Sequence, residues 1–184
     1  ITFLNKGITP NRQAITIKGS GVNAKYYQNI IPRAQNKTKQ ILFPARILKE
    51  KGIIELVNAC RTLWNEDYKF QLNIAGEIDK HNKSHLKGKT LDYMLKNENI
   101  SFLGKCNNMK EIYMKIDIVV LPSWREGLSK SLLEAASMSL PIITTNVPGC
   151  KDIVKNEYSG SVVPVRNEIK LEEAIKRLID NPEF

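Results

Sequence analysis

Short apolar runs alternate with amphipathic stretches along this chain. The runs at Ile41–Ala45, Phe70–Ala75, Ile100–Gly104, Ile116–Leu121, Pro141–Thr145 and Gly160–Val163 are nearly unbroken by charge. Such runs predict strands covered on both faces, as in a parallel sheet. A further short strand is expected at Ala14–Lys18. Between the runs the spacing changes. Ile53, Leu56, Val57, Cys60 and Trp64 share one face of a predicted helix over Ile53–Asn65. Asp79–Asn97 contains a helix best seen at Leu91–Leu95, Asn108–Lys115 is a short one, and another begins near Ser129. Lys151–Val154 is expected to be a short helix, and Tyr26–Ile31 a single turn ahead of Pro32. Leu171, Ala174, Ile175, Leu178 and Ile179 mark the last helix, which Asn181-Pro182 ends. Strands alternating with helices predict an α/β fold, a Rossmann-like, doubly wound, mostly parallel sheet. A chain of 184 residues suffices for one such domain, residues 1–184, with a real core.

The stretch Pro122–Ala135, PSWREGLSKSLLEA, joins a buried strand to a helix through a glycine-containing loop. The first N–H groups of a helix lack internal partners, so this junction suits an anion. Glu126 and Glu134 frame the loop, with seven residues between them. Carboxylates do not bind phosphate; they accept hydrogen bonds from hydroxyls. The combination suits a ligand carrying both phosphates and sugars. Ser131 and Glu134 also fit a capping box, in which Glu134 serves only its own helix.

EGLSKSLLEA resembles the paired-glutamate motif of retaining glycosyltransferases of the GT-B fold, most closely glycosyltransferase family four, or group 1. Gly19–Asn23 (GSGVN), Arg46…Lys51-Gly52, Ile74-Ala75-Gly76, Ile100–Gly104 and Pro141–Thr145 are similar to further stretches of that family, so the resemblance runs from about Thr16 to Pro182. It implies the C-terminal, donor-binding half of a two-domain enzyme, a single nucleotide-sugar-binding domain whose acceptor half would precede Ile1. It assigns Arg46 and Lys51 to the donor diphosphate and Glu126 to donor-sugar hydroxyls, the catalytic set. Cations there would stabilise the departing diphosphate. Glu134 would take the ribose, Gly127, Leu128 and Ser129 would offer backbone to the sugar and diphosphate, Gly76 would let ligand approach, and Lys105 would touch base or ribose. No metal and no cofactor is implied; the donor, a UDP-sugar, is a substrate. Leu128-Ser129-Lys130 resembles enzymes of bacterial capsule and O-antigen assembly, which act on lipid-linked acceptors at the cytoplasmic membrane face. Ala45, Cys150 and Asp152 depart from the commonest family residues.

Charge and composition adjust this picture. The net charge is +9, which attracts phosphorylated ligands, polyanions or anionic lipid. The lysines are dispersed, unlike a nucleic-acid-binding arm, so no nucleic-acid partner is expected. A non-catalytic basic module binding nucleotides or polyanions is the alternative; it explains the charge but not Arg46, Lys51, Glu126 and Glu134 converging at strand ends. No stretch approaches the roughly 20 apolar residues of a membrane span. Three widely spaced cysteines give neither a disulfide framework nor a zinc site, which suggests a reducing, cytoplasmic setting, with peripheral membrane association of the parent. Gly19-x-Gly21-x-x-Ala24 imitates a dinucleotide fingerprint, with Arg46 placed to read a 2′-phosphate, but Pro32 forbids the long helix that should follow. His81 and His85 have metal-compatible spacing but no acidic or thiol companion in pattern, and read as polar surface residues.

Overall fold

A computed structural model describes residues 19, 21–28, 37–155 and 158–181. The strand expected at Ala14–Lys18 and part of the turn at Tyr26–Ile31 lie outside the described residues. Among those described, six strands form one parallel sheet: β1 (Lys39–Phe43), β2 (Phe70–Ile74), β3 (Ile100–Phe102), β4 (Ile118–Leu121), β5 (Ile142–Thr145) and β6 (Gly160–Val163). The helices are α1 (Ile53–Asn65), α2 (Lys89–Lys96), α3 (Met109–Tyr113), α4 (Lys130–Ser137) and α5 (Glu168–Asp180).

The strand order is β3-β2-β1-β4-β5-β6. The chain lays down strands outward from β1, then crosses back to β4 and builds in the other direction. β1 and β4 are therefore neighbours at the point where the strand order reverses, and in open α/β sheets such a switch point holds a ligand crevice at the carboxyl ends. Register is set by burial. Ile41 pairs with Leu72 and Ile118, and Val119 with Ile142, all inside the core. All four residues of β4 are buried, as the apolar run requires.

α1 begins and ends where its periodicity predicts, burying Ile53, Leu56, Val57, Ala59, Cys60 and Leu63. It packs along α5, and polar ties from Asn58 to Glu168 and from Lys176 to Glu66 flank that seam. Between β1 and α1, Lys49–Lys51 forms a 3-10 turn, and Leu48 bridges to His85. One expectation fails. Lys151–Val154 forms no helix. Cys150, Lys151 and Ile153 donate backbone bonds within a series of turns, begun where Gly149 takes φ +77°. Several strands are shorter than their apolar runs. Asp117, just ahead of β4, is tied to Gln40 of β1 twice, its N–H donating to the Gln40 carbonyl at 2.9 Å and its carboxylate accepting the Gln40 N–H at 2.7 Å.

Candidate nucleotide-sugar site

The loops after β1 and β4 meet at the switch point. Lys51 ends the 3-10 turn after β1, and Glu126 sits in the loop after β4. Lys51 Nζ lies 2.5 Å from Glu126 Oε1, with both side chains mostly withdrawn from solvent. Three further ties hold these segments together. The Trp124 backbone N–H donates to the Glu50 carbonyl at 2.9 Å, and Ser123 Oγ donates to the same carbonyl at 3.1 Å. The Trp124 indole donates to Glu55 Oε1 at 2.9 Å. Gly52 makes the approach possible. It caps α1 at φ +76°, and a Cβ there would lie 2.1 Å from the Pro122 carbonyl oxygen. The base of the β4 loop is fixed from β5, where Thr144 Oγ1 donates to the Leu121 carbonyl at 2.8 Å and Thr145 Oγ1 donates to that of Ser123.

Glu134 is buried in the second turn of α4. The Tyr113 hydroxyl reaches it at 3.3 Å while donating to the Ser131 carbonyl at 2.9 Å, and Lys130 Nζ stands 3.8 Å away. Tyr27 stands edge-on to Tyr113, with ring centroids 6.2 Å apart. Burial, with hydrogen bonding to the Glu134 carboxylate, pushes the Tyr27 hydroxyl up to about 12, and burial raises Tyr113 further. The capping box is not formed: the N-cap is Ser129, whose side chain makes no capping bond. Glu134 is thus held by Tyr113 of another helix and flanked by Lys130 at the start of its own, with no capping bond between them and the helix N-cap.

The other expected residues divide. Arg46 follows β1 but is exposed and paired with Asp79 at 3.0 Å, apart from the Lys51–Glu126 pair. Gly76 lies against the same loop; a Cβ there would fall 1.9 Å from the Ala45 carbonyl oxygen, so the close approach it permits is to backbone. Gly127 is exposed, with open space where a side chain would stand. Leu128 packs beside Gly19. The buried Ser129 already donates its N–H to the Gly149 carbonyl at 3.2 Å. Lys105 follows β3, three strands from β4 and so roughly 14 Å away across the sheet. It lines a cavity of about 630 Å³ with Asn73, Asn108 and Glu111.

Sequence reasoning overlooked several neighbours of the site. Cys150 is fully buried; burial pushes its thiol up to about 11, with Thr144 opposing the rise, the Glu126 carboxylate adding to it and Lys51 offsetting it. The Tyr113 and Glu55 contacts carried no local signal. His85 is a loop residue whose ring lies 2.6 Å from the Asn82 carbonyl. Among the described residues no group of three or more His, Cys, Asp or Glu could hold a metal ion.

Comparison with known proteins then decides the family. The model of the glycosyl transferases group 1 matches residues 28–184. The chain belongs to that family. It is 27% identical over 139 residues to the capsular polysaccharide biosynthesis glycosyltransferase CapM of Staphylococcus aureus, covering 76% of this chain and 36% of that protein. It is 26% identical over 185 residues to the N,N'-diacetylbacillosaminyl-diphospho-undecaprenol alpha-1,3-N-acetylgalactosaminyltransferase of Campylobacter jejuni, covering 96% of this chain and 48% of that one. The chain therefore spans a third to a half of these relatives' length. In structure it resembles Anabaena HepE, solved in complex with UDP-glucose, with TM-score 0.74 and 14% identity over 89% of this chain and 47% of that one. This likeness shows the shared fold. As a group 1 domain, the chain places Lys51 and Glu126 together at the carboxyl edge. No helix among the described residues is long and apolar enough to cross a membrane.

Proposed function

We propose that this group 1 domain is the donor-binding half of a retaining, family-four glycosyltransferase. The enzyme transfers a sugar from a nucleotide sugar, a UDP-sugar, to a glycan or lipid-linked acceptor in bacterial surface polysaccharide synthesis. The observation that carries the reading is the Lys51–Glu126 pair at the β1/β4 switch point. A cation and a carboxylate held there offer one group for phosphate and one for hydroxyls, the two chemistries of a sugar nucleotide. A polyanion-binding module has no use for the carboxylate. Capsule and undecaprenol-linked relatives support the acceptor class, and UDP-glucose in a protein of the same fold supports the donor class.

In this reading Lys51 releases Glu126 when donor enters and turns to the diphosphate, while Glu126 takes a sugar hydroxyl. Arg46 leaves its exposed pair with Asp79, which costs little because such pairs are worth about 0–1 kcal/mol. Glu134 accepts from the ribose, and Lys105 lies toward the base. The departing diphosphate is stabilised by these cations, without a metal or cofactor. The acceptor is held by a second domain of the parent, which works at the cytoplasmic face of the membrane. A thermal-shift screen of UDP, GDP, their sugars and mixed nucleic acid tests the assignment. UDP-sugars are expected to raise the melting temperature most. A larger rise with nucleic acid favours the polyanion-binding module instead.

A further inference from the structure

We propose that Glu55 and Trp124 form a positioning clamp that keeps the Glu126 loop in register with Lys51 when donor binding separates that ion pair. The inference rests on the donor-binding reading above. Lys51 and Glu55 lie on either side of Gly52 at the start of α1, and Trp124 and Glu126 lie two residues apart in the loop after β4. Beyond the bonds of Ser123 and Trp124 to the Glu50 carbonyl, the two segments are joined by two bonds between side chains at similar spacing, Lys51 to Glu126 at 2.5 Å and Glu55 to Trp124 at 2.9 Å. A ligand that takes Lys51 to phosphate and Glu126 to a hydroxyl removes the first tie. The second is untouched by that exchange.

Glu55 itself is unusual. It is 8% exposed, its Oε1 accepts the indole N–H, and its Oε2 has no hydrogen-bond partner. A buried carboxylate with an unpartnered oxygen costs stability. Its position in the first turn of α1 returns part of that cost through the helix dipole. The dipole does not explain why the Trp124 ring is held at both its edge and its face. The Arg166 guanidinium lies 3.9 Å from that ring's centroid, reaching it from the β6–α5 loop with its own backbone at φ +57°. A non-glycine residue in that region carries strain, which the surrounding contacts must outweigh. Trp124 is therefore fixed from the loops after β1 and β6 together, and Glu126 follows it by two residues. Neither Glu55 nor Trp124 needs to touch the donor.

The test compares wild type with Trp124→Phe, Glu55→Ala and Glu55→Gln by hydrogen exchange and by titration with UDP and UDP-glucose. Trp124→Phe and Glu55→Ala are expected to speed exchange of amides 123–129 by about tenfold while β4 stays protected. Both should also lower the preference for UDP-glucose over UDP, with Glu55→Gln, which keeps the acceptor oxygen, close to wild type in each readout. Unchanged exchange at 123–129 in both disrupting variants overturns the clamp. So does a Glu55→Gln protein that behaves like Glu55→Ala, because the charge at the helix start is then what matters. Freed loop amides with an unaltered UDP-glucose preference overturn the positioning role. If wild type binds neither nucleotide while the loop is freed as expected, the clamp stands and the donor-binding reading falls.

Discussion

Lys51 and Glu126 satisfy each other in this structure, so their substitutions should not behave alike. Lys51→Ala removes the charge offered to the diphosphate and leaves Glu126 as an unpaired carboxylate beside it. Binding of UDP is expected to weaken by roughly 1.5–3 kcal/mol, the scale of a charge-assisted hydrogen bond, while uridine is affected far less. Arg46→Ala is expected to cost less than Lys51→Ala, because Arg46 is exposed and must first leave Asp79. Titration calorimetry of both variants with UDP and uridine checks both statements; equal losses for the two ligands would show that these side chains act through folding or the base. Glu134 is a different case. Its carboxylate is buried against Tyr113, so Tyr113→Phe strips the hydroxyl from both Glu134 and the Ser131 carbonyl. A loss of about 1–3 kcal/mol in urea denaturation is expected, since buried acceptors are left unsatisfied.

The elements were more legible in the sequence than the contacts between them. Strands buried on both faces had to be apolar without alternation, and β4 was plain for that reason. α1 announced itself by a one-sided apolar stripe. The errors cluster where the chain leaves the sheet. Ala45, Ala75, Leu103 and Gly104 continue apolar or small patterns past the last strand residues; Ala75 and Leu103 still donate their N–H to Phe43 and Ile74 on the neighbouring strands, but the pairing goes no further. Lys151–Val154 was expected to be helical, yet the turn at Gly149 is pressed against the site loop: a Cβ there would fall 1.7 Å from the Gly127 carbonyl oxygen. Of the site, the Lys51 and Glu126 positions were legible because strand-loop-helix junctions are local. Tyr113 with Glu134 and Glu55 with Trp124 were not, because they join residues 21 and 69 positions apart. Gly52→Ala probes such a junction. The left-handed backbone and the Pro122 carbonyl both oppose a side chain, so a stability loss well above about 1 kcal/mol is expected in urea, with UDP affinity falling as Lys51 is displaced.

At the scale of the molecule, the parallel sheet keeps Cys60 and Cys150 inside and leaves Cys106 partly open. Burial raises all three thiols, Cys150 to about 11 from an ordinary 9.0. A thiol raised in the fold stays protonated there while the unfolded chain releases its proton. Stability from Cys150 is therefore whole below pH 9 and declines as pH rises toward 11. Melting temperature should fall across that window and fall less in Cys150→Ala, while at pH 8 a thiol reagent should label Cys106 long before the other two. The same sheet order puts a cation and a carboxylate at one crevice, and the central claim is that they divide a sugar nucleotide between them. The most direct test is calorimetry of UDP and UDP-glucose against wild type and a folded Glu126→Ala. Glu126→Ala is expected to keep UDP affinity near that of wild type, because only the partner of Lys51 is lost, and to abolish the preference for UDP-glucose. A Glu126→Ala protein that loses UDP and UDP-glucose equally, or a wild type that binds neither, contradicts the account.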